Sequence, residues 1–114
     1  METITRDDLR EKMERGDDFV LIEVLSPDSY EKHHLPGAIN IPLGKGFEKS
    51  VQQAIQDKDQ EIVVYCSDEN CDASPTAAKK LERLGYQRVL DYEKGKVDWM
   101  KSGLNVIEKG EQPN

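Results

Sequence analysis

Residues 61–66 read Glu-Ile-Val-Val-Tyr-Cys, the most strongly apolar and β-branched run in the chain. Such residues favour extended strands, and a strand that is apolar at consecutive positions is buried on both faces. Ser74 and Pro75 are typical of a helix N-terminus, and Gly85 of the end of the same helix. The stretch therefore predicts the central strand of an α/β sheet, followed by a helix with Ser74 as its N-cap.

Helical and extended patterns alternate through the remaining sequence. Thr5 precedes an acidic turn and Gly16 closes that segment, which predicts a capped helix over 6–15. An apolar run at 19–24 predicts a second buried strand. Further helices are predicted over 26–33, 47–55, 74–84 and 96–102, and short strands over 39–42 and 88–90. This order predicts a parallel sheet with helices on both faces, whose ligands bind beyond the carboxyl ends of the strands.

Length and composition limit the classes of protein to which the chain can belong. It has 114 residues, 36% of them apolar, 34% charged, and a net charge of −7. This length suits one domain, which we place at 1–107, with a flexible tail at 108–114. The negative charge repels phosphate backbones and argues against nucleic acid as a partner. Because no apolar segment approaches the roughly 20 residues of a membrane span, and the start lacks an apolar leader, we expect a cytoplasmic protein without membrane contact.

Cys66 lies where the buried strand gives way to a loop before a helix. Two cysteines do not make a disulfide framework, so a chemical role is favoured over a structural one. The unpaired N–H groups and positive dipole at a helix N-terminus stabilise a thiolate, which is the reactive form. We expect the Cys66 sulfur to be open to water, among main-chain N–H groups. The alternative is that Cys66 is a small buried apolar residue.

Several motifs resemble the rhodanese-like domain in their order and spacing. They cover the chain from about residue 3 to 106. The matching segments are Leu21-Ile-Glu-Val, Tyr30-Glu-Lys-His-His-Leu-Pro-Gly-Ala-Ile-Asn-Ile-Pro42, Ile62-Val-Val-Tyr-Cys66, Ala77-Ala78, Leu81-Glu-Arg-Leu-Gly-Tyr86, and Gly95 to Leu104 with Trp99 and Gly103. The resemblance implies a parallel sheet of about five strands and a cysteine that carries sulfane sulfur as a persulfide to a thiol acceptor.

The resemblance assigns the site to one loop and implies neither a metal nor a cofactor. Cys66 matches the nucleophile. The loop whose N–H groups would surround the bound sulfur or anion comprises Ser67, Asp68, Glu69, Asn70, Cys71 and Asp72. We therefore expect a sulfurtransferase or persulfide carrier, with Cys66 as the catalytic residue.

The chain departs from the family pattern at two places. The second strand of the family often carries an Asp-x-Arg pair, whereas these positions are Glu23 and Leu25 here, so a guanidinium and any ion pair built on it are missing. The loop is longer than usual and holds three acids, with no Lys or Arg between Glu61 and Lys79. Repulsion by the acids nearly cancels the helix dipole, which predicts a Cys66 pKa near that of a free thiol. The same acids predict poor use of thiosulfate and favour persulfide donors, or a partner with a basic docking surface.

Cys71 leaves two alternatives open. It could resolve a persulfide or sulfenic acid on Cys66, or form with it a dithiol redox switch. A third reading is a catalytically inactive protein-binding module. A metal site that uses the cysteines with His33 and His34 fits the spacing poorly, and we expect His34 to hold a turn through its ring. A cysteine phosphatase needs an Arg where Asp72 stands, so that function is excluded.

Overall fold

The computed structural model describes residues 2–109 and is built on a parallel five-stranded sheet. The elements are, in chain order, β1 Glu2–Thr3, α1 Arg6–Arg15, β2 Val20–Glu23, α2 Pro27–Lys32, β3 His33–His34, β4 Ile39–Asn40, α3 Phe47–Ala54, β5 Glu61–Tyr65, α4 Ala73–Arg83, β6 Arg88–Tyr92, α5 Gly95–Lys101 and β7 Ile107–Glu108. The strand order is β1-β6-β5-β2-β4, and every pair in this sheet is parallel. The α/β class predicted from the sequence is confirmed.

Strand β5 lies at the centre of the sheet, as predicted. Its side chains alternate between two apolar clusters. Ile62 and Val64 pack with α3 and α4 on one face, whereas Val63 and Tyr65 pack with α1 and α5 on the other. All four side chains are fully buried. Burial on both faces explains why four consecutive positions of this strand, 62–65, are apolar rather than alternate positions.

Side-chain hydrogen bonds cap the N-termini of α1 and α2, whereas α4 begins at a different residue from the one predicted. Thr5 accepts a hydrogen bond from the Asp8 amide (3.1 Å), and Ser26 accepts one from Ser29 (3.3 Å). The prediction of Ser74 as the N-cap of α4 is wrong, because the helix begins at Ala73 and Asp72 holds the cap position. Ser74 is fully buried inside the first turn, so its hydroxyl faces the sheet instead of an orphan amide.

A small antiparallel pair joins two distant segments. β3 pairs with β7, so His33 opposes Glu108 and His34 opposes Ile107. Helix α2 ends at Lys32 with His33 as its C-cap, which agrees with the predicted end at about His33. His34 Nδ1 lies 2.8 Å from the Tyr30 carbonyl, which confirms the predicted ring hydrogen bond. The predicted domain boundary after residue 107 falls within β7, and the rest of the predicted tail from residue 110 lies outside the described residues.

Within residues 2–109, no helix combines the length and the apolar character that crossing a membrane requires. The longest helix, α4, has 11 residues, whereas a span needs roughly 20.

Candidate functional site

The loop after β5 begins at the carboxyl end of the central strand and is held from behind by α5. The Lys96 amide donates to the Cys66 carbonyl (3.0 Å), and the Val97 amide donates to the Ser67 carbonyl (2.9 Å). Gly95 makes this contact possible, because a Cβ atom at that position would lie 2.6 Å from both carbonyl oxygens. The backbone at the start of the loop is therefore clamped to the first turn of α5.

The Cys66 thiol lies in the apolar core. Cys66 is 1% exposed and belongs to the apolar cluster that includes side chains of α3 and α4. Its Sγ lies 3.4 Å from Ser74 Oγ and 3.7 Å from the Cys71 carbonyl oxygen. Burial is the main cause that raises the pKa of Cys66 to about 11, and the neighbouring Cys71 thiol adds to the rise. The expectations of an exposed sulfur and an ordinary thiol pKa are both wrong, because the residue ends a strand that is buried on both faces.

The Cys71 thiol occupies a different environment. The residue is half-buried, and its amide donates to the Asp68 carbonyl (3.1 Å). Burial alone would raise the pKa of Cys71, but hydrogen bonds from the Cys66 thiol, from the amides of Ala73 and Ser67, and from the Ser67 hydroxyl lower it below the usual thiol value. The surroundings of the two thiols therefore shift their pKa values in opposite directions.

The two cysteines are free thiols, and each affects the pKa of the other. The remaining loop residues lie towards solvent, with Glu69, Asn70 and Asp72 exposed. The Asn70 amide is used within the loop, where it bonds Asp68 Oδ1 at 3.0 Å. Ser67 and Asp68 are half-buried, and the carbonyl of Ser67 is bonded to α5.

A shallow groove separates the loop from α5. It has a volume of about 260 Å³, and its lining includes Asp68 and Glu69 on one side and Lys94 and Lys101 on the other. The sequence predicted only the acids, because both lysines come from a segment more than twenty residues later in the chain. They oppose the acids' repulsion of an anionic donor. Asp98 also lines the groove, and Arg6 pairs with it at 3.1 Å.

Glu23 forms an ion pair with a lysine, although the sequence has no guanidinium at position 25. Glu23 is fully buried and Lys96 is 3% exposed, and Lys96 Nζ lies 3.1 Å from both carboxylate oxygens. Tyr65 donates to the same carboxylate at 2.8 Å. Because Lys96 also bonds the Cys66 carbonyl through its amide, the ion pair ties the cysteine loop to β2.

A second buried carboxylate lies behind the cysteines. Asp91 in β6 is 1% exposed, and neither carboxylate oxygen has a hydrogen-bond partner among the described residues. Burial raises the pKa of Asp91, and the nearby Ser74 side chain partly opposes this rise. A carboxylate in such a place destabilises the fold in its charged form.

We expect Asp91→Asn to make the protein more stable than the native chain at pH 7, but not at pH 4. Because its pKa is raised in the folded state, Asp91 favours folding when protonated, at pH values below the ordinary Asp pKa. That contribution is lost as the pH rises through the folded-state pKa. Relative to the native chain, the variant should gain on the order of 1 kcal/mol of unfolding free energy between pH 4 and pH 7. Urea unfolding at the two pH values measures this gain.

Glu14→Gln is the matched control, since it removes one negative charge from an exposed position on α1. It should show no comparable pH dependence. If the free energy of unfolding changes equally between pH 4 and pH 7 in the native chain and in Asp91→Asn, the pKa of this carboxyl is not raised and the prediction is contradicted.

Among residues 2–109, no group of three or more His, Cys, Asp or Glu side chains is placed to hold a metal ion. His33 and His34 lie in β3, paired with β7, and not in the cysteine loop. Trp99 is 2% exposed and packs with Tyr92 in the core, as its spacing predicts.

Comparison with known proteins places the chain among several named relatives. It is 33% identical over 107 residues to the HTH-type transcriptional regulator Rv0324 of Mycobacterium tuberculosis, and 27% identical over 96 residues to the putative sulfur carrier protein YrkF of Bacillus subtilis. It is 38% identical over 69 residues to the thiosulfate sulfurtransferase PspE of Escherichia coli. These matches cover 94%, 84% and 60% of this chain and 45%, 49% and 62% of the respective relatives. The chain therefore spans about half the length of the curated relatives that it matches.

A solved structure with detectable sequence similarity has the same fold. The BH2092 protein of Bacillus halodurans superposes with a TM-score of 0.85 at 27% identity, over 94% of this chain and 77% of that one. The family model described as the rhodanese-like domain matches residues 5–102. With the five-stranded parallel sheet and the cysteine loop at the end of its central strand, this match shows that the chain belongs to the rhodanese-like domain family.

Proposed function

We propose that this domain transfers sulfane sulfur through a cysteine persulfide in the loop 66–72 and passes it to a thiol acceptor. The observation that carries the proposal is a free thiol, Cys66, at the carboxyl end of the central strand, with a second free thiol, Cys71, in the same loop before the N-terminus of α4. The unpaired amides and the dipole of a helix N-terminus favour a thiolate and a sulfur-centred anion. The relatives named a sulfur carrier and a thiosulfate sulfurtransferase support the same chemistry.

The transfer of sulfur needs no external oxidant or reductant, because each bond that forms replaces one that breaks. A cysteine thiolate attacks the outer sulfur of a donor R–S–SH, the donor S–S bond breaks, and R–S⁻ leaves with the bonding electrons. The protein then holds Cys–S–SH. An acceptor thiolate attacks the outer sulfur in turn, which forms the acceptor persulfide and returns the cysteine thiolate.

The charges around the loop favour donors with little negative charge. Asp68 and Glu69 line the groove, and Asp72 is exposed beside them. Lys94 and Lys101 reduce the electrostatic repulsion between these three acids and a dianion such as thiosulfate, but they do not turn it into attraction. Cysteine persulfide, which carries one net negative charge, should therefore load the protein faster. The exposed acids also suit a thiol acceptor protein with a basic docking surface.

Intact-mass measurement after treatment with cysteine persulfide or thiosulfate tests the proposal. The native chain should gain one sulfur atom, and a thiol acceptor such as dithiothreitol should remove it. The Cys66→Ser/Cys71→Ser double variant is the control and should gain none. If the native chain gains no sulfur from either donor, the domain is a binding module without turnover and the proposal fails.

A dithiol switch is the second candidate, and the presence of two free thiols in one loop favours it. Hydrogen peroxide would accept the two electrons and two protons of the thiols, which would form a Cys66–Cys71 disulfide and two waters, and a reducing dithiol would reopen the disulfide. The same mass measurement separates the two functions, because a disulfide appears as the loss of two hydrogen atoms and a persulfide as the gain of one sulfur.

A further inference from the structure

Asp91 is a buried carboxyl whose acceptor atoms the fold leaves unused. It lies in β6 and is 1% exposed, and neither carboxylate oxygen has a hydrogen-bond partner among the described residues. Glu23, by contrast, is equally buried but is bonded by Lys96 and Tyr65. A buried carboxylate without a partner destabilises the folded state, and such groups concentrate at functional sites. Asp91 therefore calls for a role other than support of the fold.

The register of the sheet places Asp91 on the same face as Cys66. Asp91 pairs with Val64, and paired residues of neighbouring strands have their side chains on the same face. Because side chains alternate along a strand, Cys66 follows Val64 on that face, and both belong to the cluster that also contains Val89 of β6. Diagonal neighbours on a sheet lie roughly 7 Å apart, which leaves room for one polar group between them.

Ser74, in the first turn of α4, is the polar group that acts on both side chains. It is fully buried, and its Oγ lies 3.4 Å from Cys66 Sγ. Its side chain also lowers the pKa of Asp91, against the larger effect of burial. When the Cys66 thiol donates to Ser74 Oγ, the hydrogen of the Ser74 hydroxyl can turn towards the carboxylate. A thiol, a hydroxyl and an unused carboxylate thus follow one another inside the core.

We propose that Asp91 is a positioning residue for sulfur transfer, which takes up the proton of Cys66 through the Ser74 hydroxyl when Cys66 attacks the donor. The inference rests on the proposed function, with Cys66 as the attacking thiol. Ser74 Oγ accepts the thiol proton and gives its own hydrogen to the carboxylate, so Cys66 becomes a thiolate and Asp91 becomes neutral.

The remaining steps return the proton by the same route. The Cys66 thiolate attacks the donor's outer sulfur, the donor S–S bond breaks, and R–S⁻ leaves with the bonding electrons. An acceptor thiolate then attacks the outer sulfur of the Cys66 persulfide. Cys66 leaves as a thiolate and regains its proton from Asp91 through Ser74, so the protein returns to its starting state.

The buried environment favours such a relay over loss of the proton to water. Burial raises the pKa of Cys66 to about 11, so few of these thiols would be ionised at pH 7 without a nearby base. The relay moves one negative charge from Asp91 to Cys66 and adds no second charge to the core. Burial and the charge of Glu93 raise the pKa of Asp91. A carboxylate with a raised pKa is a stronger base than an exposed one.

Sulfur loading from cysteine persulfide at pH 7 gives the first test. Asp91→Asn keeps the shape of the side chain but cannot take up a proton, and it should load at least about tenfold more slowly than the native chain. Glu14→Gln is the matched control and should load at the native rate. If Asp91 acted only through its charge, its removal would lower the pKa of Cys66 and speed loading.

The outcomes of this test are distinct. Loading of Asp91→Asn at or above the native rate overturns the inference and leaves the proposed function standing. Cys66→Ser should gain no sulfur, and loading of this variant at the native rate overturns the inference as well. A native chain that gains no sulfur overturns both the inference and the proposed function.

The pH dependence of loading separates proton transfer from a loss of packing. Asp91 accepts a proton only when it is ionised, so the ratio of the native rate to the Asp91→Asn rate should grow between pH 4 and pH 7. Taking the ratio cancels the titration of the donor. Circular dichroism confirms that both proteins are folded at each pH. A ratio that is the same at the two pH values overturns the inference, because a purely structural carboxyl would give that result.

Ser74→Ala tests the route of the proton. If the proton passes through Ser74, this variant should load about as slowly as Asp91→Asn, and the Ser74→Ala/Asp91→Asn double variant should be within a few fold of either single variant. Residues that act as a unit show such non-additive effects. Multiplication of the two single effects in the double variant overturns the relay, since the residues would then act independently.

Discussion

Gly95→Ala should lower the free energy of unfolding by about 2–4 kcal/mol and slow sulfur loading together with it. A Cβ atom at this position would lie 2.6 Å from the carbonyl oxygens of Cys66 and Ser67, which are backbone atoms and cannot rotate away. The residue also has a φ of +69°, which costs an L-residue about 1 kcal/mol. Relief requires α5 to move off the loop, and that movement breaks the amide bonds from Lys96 and Val97.

Gly103→Ala is the matched control for this prediction. Gly103 has a φ of +84°, and a Cβ atom added to it would have no neighbour within 4 Å. It should therefore lose only the roughly 1 kcal/mol of backbone strain and load sulfur at the native rate. Urea unfolding and loading from cysteine persulfide are measured on both variants. Equal destabilisation by the two substitutions would contradict the view that α5 clamps the loop through Gly95.

Lys96→Met should destabilise the fold by about 3–5 kcal/mol, because it leaves the charge of Glu23 buried without its cation. Glu23 is fully buried, and it would retain the hydrogen bond from the Tyr65 hydroxyl. The substitution also frees two carbonyls that Lys96 Nζ bonds, those of Ser29 (3.0 Å) and His33 (2.8 Å). We expect looser packing of α2 as well as a lower unfolding midpoint in urea.

The double variant Glu23→Gln/Lys96→Met shows whether the buried charge is the cause. It should recover part of the stability that Lys96→Met loses, since no uncompensated charge remains. Glu11→Gln removes one partner of the exposed pair between Glu11 and Arg15 and should cost less than about 1 kcal/mol. A double variant less stable than Lys96→Met would instead show that the hydrogen bonds to Glu23, and not its charge, stabilise this region.

The architecture could be predicted from the sequence because its signals are local. The run of apolar residues in β5 and the cap at Thr5 are each patterns within a few neighbouring residues, and the structure confirms both. The predicted cap at Ser74 is wrong because its surroundings are set by a contact with a distant strand, not by a local pattern. Its hydroxyl bonds a cysteine sulfur and lies beside Asp91 from another strand, and this tertiary contact outweighs the local preference for a cap.

The environment of the site could not be predicted, since distant segments build it. The partner of Glu23 lies 73 residues later in the chain, at Lys96. Lys94 and Lys101 reach the acidic loop only because α5 packs beside it. The two cysteines have the same residue type and lie five positions apart, so the difference in their burial depends on the point at which the chain leaves the sheet. A strand buried on both faces keeps its last residue buried, whereas the loop lifts the next cysteine towards solvent.

The clamp between α5 and the loop also sets the direction of one peptide group. A trans peptide is planar, so its C=O and N–H bonds point in opposite directions. The carbonyl of Cys66 is held by the Lys96 amide, so the N–H of the same peptide, which belongs to Ser67, points away from α5. The direction of this peptide dipole is thus fixed before any donor arrives, and the peptide has no need to reorganise as charge develops during transfer.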